Sequence, residues 1–286
     1  MIDGQLPVFA HRPPETEEIP LVVSVPHTGV YMPEEMAAKL ANDYMRTQPM
    51  TDWHLHQLYN FVPGLGADLL CATYARFVVD LNRPPTPRAL YPGRFETGLV
   101  ALETFTGEPI WSTPPDENEI AERRERYHQP YHDKLNALLQ DKLKKFGQVW
   151  LIDAHSIASH PTRMHDKLDK HIYLGNRDGL SCEDGWYEYM VGQFESRGMS
   201  VSRNYPYKGG YITDHYGSNA AVQAVQIEMN QELYMDQDDP ASGPAHPNFA
   251  ATRDKLKDLF DEMVGKIKQI VPGKNPGLEP GPGTGR

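Results

Sequence analysis

The sequence has little cysteine. Cys71 and Cys182 are its only two among 286 residues, and they do not form a C-x-x-C pair. Disulfide frameworks and thiolate zinc sites need more cysteines at closer spacing. Any metal that this chain binds is therefore expected to be held by histidine and carboxylate side chains.

Long apolar runs and an excess of positive charge are missing as well. No run approaches the roughly 20 apolar residues of a membrane span, and the first residues lack the basic-then-apolar order of a signal peptide. Lys and Arg number 28 against 39 Asp and Glu, and no basic stripe stands out. This balance argues against nucleic-acid or membrane partners. We expect a cytoplasmic protein with a small-molecule ligand, and the sequence leaves its oligomeric state open.

An internal linker rich in Pro, Gly or Ser is also lacking. Although 286 residues exceed the usual domain size, α/β domains of this length commonly keep one core, so residues 1–270 are predicted to form a single domain. Residues 271–286 are rich in Gly and Pro and cannot bury enough apolar surface to offset the entropy of ordering. We predict a disordered tail there.

What the chain does contain is four short apolar runs, each leading into a chemically capable side chain. They span residues 21–25, 77–81, 149–153 and 222–227, and they run into His27, Asn82–Arg83, His155 and Glu228. Such runs predict buried strands, and the patterns at residues 116–147, 183–197 and 251–270 predict helices, the first with a kink at Pro130. Ligands of open α/β sheets bind beyond the carboxyl ends of strands, so these side chains are expected to meet at one site.

His27 and His155 are the candidate metal ligands. His27 precedes Gly29, which would let the backbone approach a ligand closely. Asp153 and His155 point to the same side of an extended strand, which suits a carboxylate that orients a ligand; a buried Asp–His hydrogen bond without metal is the alternative. Zinc in hydrolases usually takes three protein ligands, and residues 51–59, predicted to begin a helix, offer Asp52, His54 and His56. Asp52 has a competing explanation as a helix-start acid, and His54 and His56 as a solvated helix face.

Glu228 and several cations are the remaining candidates. An acid inside an apolar strand needs a metal, a cation or a function, so Glu228 is either a general base or one half of a structural salt bridge. Asn82–Arg83 and Arg76, with Lys208 further off, could bind an acidic substrate, because guanidinium groups bind carboxylates bidentately. The segment from Lys208 through His215 to Gly217 contains paired glycines and fits either a flexible loop that closes over a ligand or an ordinary turn.

Seven motifs in chain order resemble the N-formylglutamate amidohydrolases (formylglutamate deformylases) over roughly residues 5–236. The motifs are VPHTG at 25–29, TDWH at 51–54, VDLNRPP at 79–85, LYPG at 90–93, DAHSI at 153–157, KGGYIT at 208–213 and IE at 227–228. The resemblance implies a zinc-carboxypeptidase-like α/β fold: a single domain with a mixed, mostly parallel central sheet flanked by helices.

The resemblance also implies an activity and roles for residues. The activity is hydrolysis of N-formyl-L-glutamate to formate and L-glutamate in histidine degradation, with one divalent metal ion, expected to be zinc. His27, Asp52 and His155 would hold the metal, Glu228 would be the catalytic base, and Asn82 and Arg83 would bind the substrate. Arg76, Lys208 and His215 are further substrate-binding candidates, taken from the residues themselves rather than from the resemblance. An amidohydrolase or carboxypeptidase-like enzyme acting on another N-acyl amino acid, and a non-catalytic binding protein for acidic amino acids, are the alternatives.

Overall fold

One seven-stranded sheet runs through the residues that the computed structural model describes, which are 6–90, 93 and 95–271. The strands are β1 (Phe9–Arg12), β2 (Leu21–Val25), β3 (Asp68–Ala72), β4 (Val149–Ile157), β5 (Ile172–Gly175), β6 (Val201–Arg203) and β7 (Val222–Asn230). Their order is β1-β3-β2-β4-β7-β5-β6. The β3–β2, β2–β4, β4–β7 and β5–β6 pairs are parallel, whereas β1–β3 and β5–β7 are antiparallel. The predicted mixed, mostly parallel sheet in a single α/β domain is confirmed.

Helices cover both faces of this sheet. They are α1 (Glu34–Ala37), α2 (Asp43–Arg46), α3 (Leu55–Leu58), α4 (Glu117–Arg123), α5 (Gln129–Phe146), α6 (Asp184–Glu195), α7 (Tyr211–Gly217) and α8 (Pro247–Ile270). Short 3-10 helices span Val62–Leu65, Gln231–Leu233 and Pro240–Ala245, and a π-helical segment, Arg124–His128, joins α4 to α5. The three predicted helices are thus confirmed, and the helical irregularity predicted at Pro130 falls on the π segment just before it.

The alternation of side chains along the strands separates two cores. Leu21, Val23 and Val25 of β2 pack with α3, α6 and α8, and we call this side of the sheet the α8 face. Val22 of β2 and Leu151 of β4 pack with α5 and α7 on the opposite side, the α5 face. Because successive strand residues point to opposite sides, a strand buried on both faces is apolar at nearly every position.

The predicted strand at residues 77–81 is wrong. Residues 76–78 form a turn, and β3 is instead Asp68–Ala72, which pairs with β2. Phe77, Val78 and Val79 are nevertheless buried in the core of the α5 face. A short apolar run reports burial, and burial alone does not distinguish a strand from a turn that packs into the core.

The last described helix ends at Ile270, next to the predicted domain boundary. The division at residue 270 remains a prediction, and the predicted tail lies, from residue 272 onward, outside the described residues. Among the described residues, no helix is long and apolar enough to cross a membrane.

Candidate active site and metal centre

The carboxyl ends of β2, β4 and β7 bring the predicted site residues together. His27 lies two residues beyond β2, and His155 and Glu228 are direct partners in the β4–β7 register. The backbone N–H of Asp52 donates to the carbonyl of His27 at 3.0 Å, which brings the residue 51–54 segment to the same place. All four side chains are buried on the floor of one cavity.

Three atoms at this position form a metal-binding arrangement. The ligand atoms of His27, Asp52 and His155 all lie within 4.8 Å of one another. Asp52 Oδ2 is 3.7 Å from His27 Nδ1 and 3.0 Å from His155 Nδ1. Donor atoms around a tetrahedral zinc ion, with bonds of 2.0–2.1 Å, lie about 3.3 Å apart. The two Asp52 distances bracket that value, and all three ligand atoms lie within 4.8 Å of one another, so these residues could hold a divalent ion of the size of zinc.

Each histidine is oriented by a second carboxylate on its other nitrogen. His27 Nε2 donates to Asp80 Oδ1 at 2.7 Å, and His155 Nε2 donates to Asp153 Oδ1 at 2.9 Å. Carboxylates accept only, so Nε2 carries the hydrogen in both rings and Nδ1 of the neutral ring is left as a lone pair. His27 Nδ1 is buried and has no hydrogen-bond partner among the described residues. A carboxylate–histidine pair directed at one point is the usual support of a metal ligand.

The electrostatics of the two histidines differ. Burial and the nearby Arg76 lower the pKa of His27 to about 4, against the opposing effect of Asp80, so this ring is neutral and ready to act as a ligand. Burial also opposes a charge on His155, but Asp153, Glu228 and Asp52 outweigh it and hold its pKa well above the usual value. The proton shared by His155 Nδ1 and Asp52 occupies the position that a metal ion would take. Metal binding would therefore release that proton.

Asp52 is not a helix-start acid. Helix α3 begins at Leu55, and His54, with a positive φ of 61°, separates Asp52 from it. The competing explanation of Asp52 by the helix dipole therefore fails. Of the alternatives to Asp52, His56 is exposed and bonds Thr28, while half-buried His54 bonds the carbonyl of Pro240 rather than facing solvent.

Glu228 borders the same point from the neighbouring strand. Its Oε1 accepts a hydrogen bond from Gln226 Nε2 at 3.0 Å. Burial, together with Asp52, raises its pKa to about 8 in the absence of a cation. Within the described residues no Lys or Arg makes an ion pair with this carboxylate, which removes support from the salt-bridge alternative.

The cations of the cavity are not equivalent. Both Nε and Nη2 of Arg76 contact Asp80 Oδ2, at 2.9 and 2.8 Å, so its fork is committed to a buried acid. Arg83 donates from Nε to the carbonyl of Thr97 and from Nη1 to that of Asn82. These two bonds account for two of its five N–H donors. Arg76 lies 2.8 Å from Asp80, whereas Arg83 Nε lies 4.0 Å from the same carboxylate, so Arg83 is the cavity cation better able to bind an added carboxylate.

The cavity that these residues line has a volume of about 170 Å³ and opens to solvent. Thr104, Phe105 and Thr106 contribute to one side of it and Ser156, His160 and Thr162 to another. An open, partly polar cavity of this size accommodates a small metabolite.

Comparison with known proteins decides the family. The model of the family described as FGase, N-formylglutamate amidohydrolase, matches residues 19–235. The chain belongs to the N-formylglutamate amidohydrolase family. An N-formylglutamate deformylase of Pseudomonas putida is 38% identical over 226 residues, which cover 78% of this chain and 84% of that protein. One of Pseudomonas aeruginosa is 35% identical over 256 residues, covering 86% and 93%.

Solved structures agree with this family membership. The crystal structure of an N-formylglutamate amidohydrolase from Ralstonia eutropha superposes with a TM-score of 0.81 at 28% identity, covering 92% of this chain and 99% of that one. A gene product of Agrobacterium tumefaciens, at 16% identity and a TM-score of 0.68 over 92% and 95% of the chains, shares the fold.

Three of the residues predicted to bind the substrate make other contacts instead. The Asn82 side chain lies in the cavity wall, but its amide contacts Asp153 and His155, and its oxygen accepts from the backbone N–H of Ile212 at 2.8 Å. Lys208 forms an ion pair with Asp178 at 2.6 Å, and exposed His215 stacks on Tyr211. Neither Lys208 nor His215 is among the described cavity-lining residues.

Residues 208–217, for which the sequence left a flexible loop and an ordinary turn open, lead into helix α7 and pack against the frame of the site. Tyr211 begins helix α7, and the N–H of Gly210 donates to Gln226 Oε1 at 2.7 Å. A Cβ at Gly210 would lie 2.4 Å from Asn82 Nδ2, so glycine is required for close packing here. Glycine is required at position 29 for the same reason. A Cβ there would lie 2.4 Å from the carbonyl oxygen of Tyr74, so Gly29 packs against backbone rather than against a ligand.

Sequence reasoning missed two functional neighbours of the family site, Asp80 and Gln226. Asp80 is fully buried, and it binds both His27 and Arg76. Gln226 links Glu228, Gly210 and Asn82. Each is a polar residue inside an apolar run, Asp80 within residues 77–81 and Gln226 within residues 222–227. The same signal identified Glu228.

Proposed function

We propose that this protein hydrolyses the formamide bond of N-formyl-L-glutamate to formate and L-glutamate, with one divalent metal ion, zinc by expectation. The observation that carries the proposal is the convergence of His27 Nδ1, His155 Nδ1 and Asp52 Oδ2 beside buried Glu228. The names of the relatives supply the substrate. A role in histidine degradation in the cytoplasm follows from the same proposal.

The metal would be held by His27, Asp52 and His155. A divalent ion there supplies a Lewis acid for the formyl carbonyl and lowers the pKa of water. Asp80 and Asp153 keep the two imidazoles in the ligand tautomer. Arg76 balances the charge of Asp80, so the wall of the site does not accumulate unpaired acids.

Glu228 and Arg83 would perform the remaining chemistry. Glu228 would accept a proton from the attacking water on a carboxylate oxygen and then deliver it to the departing amine of L-glutamate. Arg83 would bind a substrate carboxylate and so fix the formyl group relative to Glu228. Lys208 and His215 would reach the substrate only through a rearrangement of α7 and its preceding segment.

The test is a steady-state comparison on the purified protein after metal analysis. N-formyl-, N-acetyl- and N-succinyl-L-glutamate separate the acyl groups, and N-formyl-L-glutamine removes the side-chain charge. We expect about one zinc per chain and the highest kcat/KM with N-formyl-L-glutamate. A preference for another acyl group would assign the protein to a related amidohydrolase. Tight glutamate binding without turnover or metal would identify a binding protein instead.

A further inference from the structure

Three consecutive backbone carbonyls beside the site are bonded by side chains. His132 Nε2 donates to the carbonyl of Leu81 at 2.9 Å, and His128 Nε2 donates to that of Arg83 at 3.0 Å. Between them, Arg83 Nη1 donates to the carbonyl of Asn82 at 3.1 Å. Residues 81–83 lie outside any strand, so these carbonyls lack the ladder partners that a sheet would provide.

The two histidines are adjacent on one helical surface. His128 is the last residue of the π segment, and His132 lies one turn later in α5, with ring centroids 4.2 Å apart. Both rings are buried. Burial lowers the pKa of His128, and burial with the neighbouring His128 lowers that of His132 well below its usual value, so both rings are neutral.

The hydrogen bonds fix one tautomer for each ring. A carbonyl only accepts, so Nε2 carries the hydrogen in both. His128 Nδ1 is buried and has no hydrogen-bond partner in the described part of the chain, so a hydrogen there would be left unbonded. His132 Nδ1 lies 3.0 Å from the hydroxyl of Tyr216 and, in this tautomer, accepts from it.

The segment held in this way carries two side chains of the site. Asn82 reaches inward to Asp153 and His155, and Arg83 reaches the cavity. A shift of the backbone at residues 81–83 would move both together. Family membership assigns nothing to His128 or His132, and neither lines the cavity among the described residues.

We propose that His128 and His132 are positioning residues that clamp the Leu81 and Arg83 carbonyls and thereby aim Arg83 at the substrate carboxylate and the Asn82 amide at Asp153, the carboxylate that orients His155. The inference rests on the proposed function. Its structural basis is that each imidazole Nε2 spans a fixed distance from helix to carbonyl, which a shorter donor would not reach.

The experiment compares glutamine with asparagine at the same position. A glutamine amide nitrogen can take the place of Nε2, whereas an asparagine amide nitrogen falls near Nδ1 and does not reach the carbonyl. We expect His128→Gln to keep kcat/KM within about threefold of the parent and His128→Asn to lose about tenfold or more, mainly in KM, because a buried carbonyl is left unbonded. The same contrast is expected for His132→Gln and His132→Asn.

Zinc content and the midpoint of thermal unfolding are measured alongside. Similar values in the Gln and Asn variants would show that the difference lies in substrate binding, as proposed. Equal kcat/KM in the two variants, or a loss that tracks lost zinc or unfolding, would overturn the proposal.

A second readout needs no turnover. Long-range ¹H–¹⁵N spectra of the imidazoles should show neutral Nε2–H tautomers for both residues near neutral pH, and an Nδ1–H tautomer or an imidazolium at either would overturn the clamp. If the parent does not hydrolyse N-formyl-L-glutamate, the proposed function fails by itself. Calorimetric binding of L-glutamate by the Gln and Asn variants then decides the positioning role.

Discussion

At the scale of single residues, the same carboxylate–histidine hydrogen bond occurs twice in the site. In His27 and in His155 the nitrogen remote from the cavity donates to a buried carboxylate, and the near nitrogen is directed at Asp52. A ring held through its remote nitrogen would lose little freedom on binding a metal, so the proposed metal site is organised by its carboxylates. In the proposed function, Glu228 transfers the proton and Arg83 recognises the charge of the substrate.

Replacing Glu228 with glutamine should abolish most turnover. Glu228→Gln keeps the shape and the hydrogen bond to Gln226 but removes the proton acceptor, so kcat should fall by about 10²–10⁴-fold with little change in KM. Stopped assays with N-formyl-L-glutamate and metal analysis check this. Loss of metal from the variant would make Glu228 a ligand and contradict its role as a base.

Replacing Arg83 with lysine should weaken binding although the charge is kept. An ammonium group cannot reproduce the planar two-point contact with a carboxylate, so KM should rise by about tenfold. The α-amide of the substrate and N-formyl-L-glutamine each lack one carboxylate, and the penalty should vanish with the analogue that lacks the contacted one. Arg88→Lys is the matched control, because Arg88 forms a largely exposed ion pair with Asp214. A penalty of the same size with every substrate would assign Arg83 to the fold.

At the scale of elements, helix α5 is tied to the sheet by a buried cation. Lys142 Nζ lies 2.7 Å from Asp68 of β3 and 2.8 Å from Glu18, and its side chain is only 1% exposed. Although burial favours the protonated acids, the hydrogen bonds of Lys142 lower the pKa of Glu18, and those of His11 and Lys142 lower that of Asp68. The helix that carries His128 and His132 is anchored at its other end by this cluster.

Removing this cation should destabilise the protein in a pH-dependent way. Lys142→Ala leaves Asp68 buried with one partner fewer and should cost about 3 kcal/mol of unfolding free energy near neutral pH. Because the folded pKa values of both acids are lowered, the contribution is present above their unfolded values near pH 4 and is lost as the pH falls through the folded values. Urea denaturation at several pH values measures this.

Lys144→Ala is the control for that series, since Lys144 pairs with Asp141 at an exposed position and should change stability little. A Lys142→Ala penalty that stays constant down to strongly acidic pH would contradict the assignment to the two acids.

The elements also show what could be predicted from the sequence. β2, β4 and β7 were predictable because central parallel strands are apolar at nearly every position, and α4 because Asp116 accepts from the N–H of Glu119 as a capping acid does. The strand predicted at residues 77–81 was wrong, and so was the alternative explanation of Asp52 as a helix-start acid. In both cases the local backbone conformation was inferred from burial or composition, whereas tertiary contacts determine it. The roles of Asp80 and Gln226 depend on pairings across 53 and 16 residues, which no local pattern contains.

At the scale of the whole molecule, metal binding and folding should be coupled. The proposed ligands come from three separate segments of the chain, so an ion that binds the folded state alone stabilises it by roughly 2.7 kcal/mol at a concentration 100 times its Kd. Chelation should lower the midpoint of thermal unfolding by several degrees and added zinc should restore it, as measured by scanning calorimetry.

The zinc-dependent part of that shift should disappear in His27→Ala and in His155→Ala. His160→Ala is the matched control, because the His160 side chain lines the cavity and, within the part of the chain that the structure describes, bonds only exposed Asp238. An unchanged zinc-dependent shift in His27→Ala would disprove the predicted ligand set.

The pairing of β4 with β7 has a consequence for how a misfolded molecule would behave. Asp153 and His155 alternate with Ile152 and Ala154, and Gln226 and Glu228 alternate with Val225 and Ile227. A slip of one residue between these strands would turn either the histidine or the glutamate toward α8 and leave the hydrophobic content of each strand almost unchanged. Such a molecule could be folded, helical and inactive. The amount of zinc bound per chain would then measure the fraction of molecules with the native β4–β7 register. Neither circular dichroism nor solubility can measure that fraction.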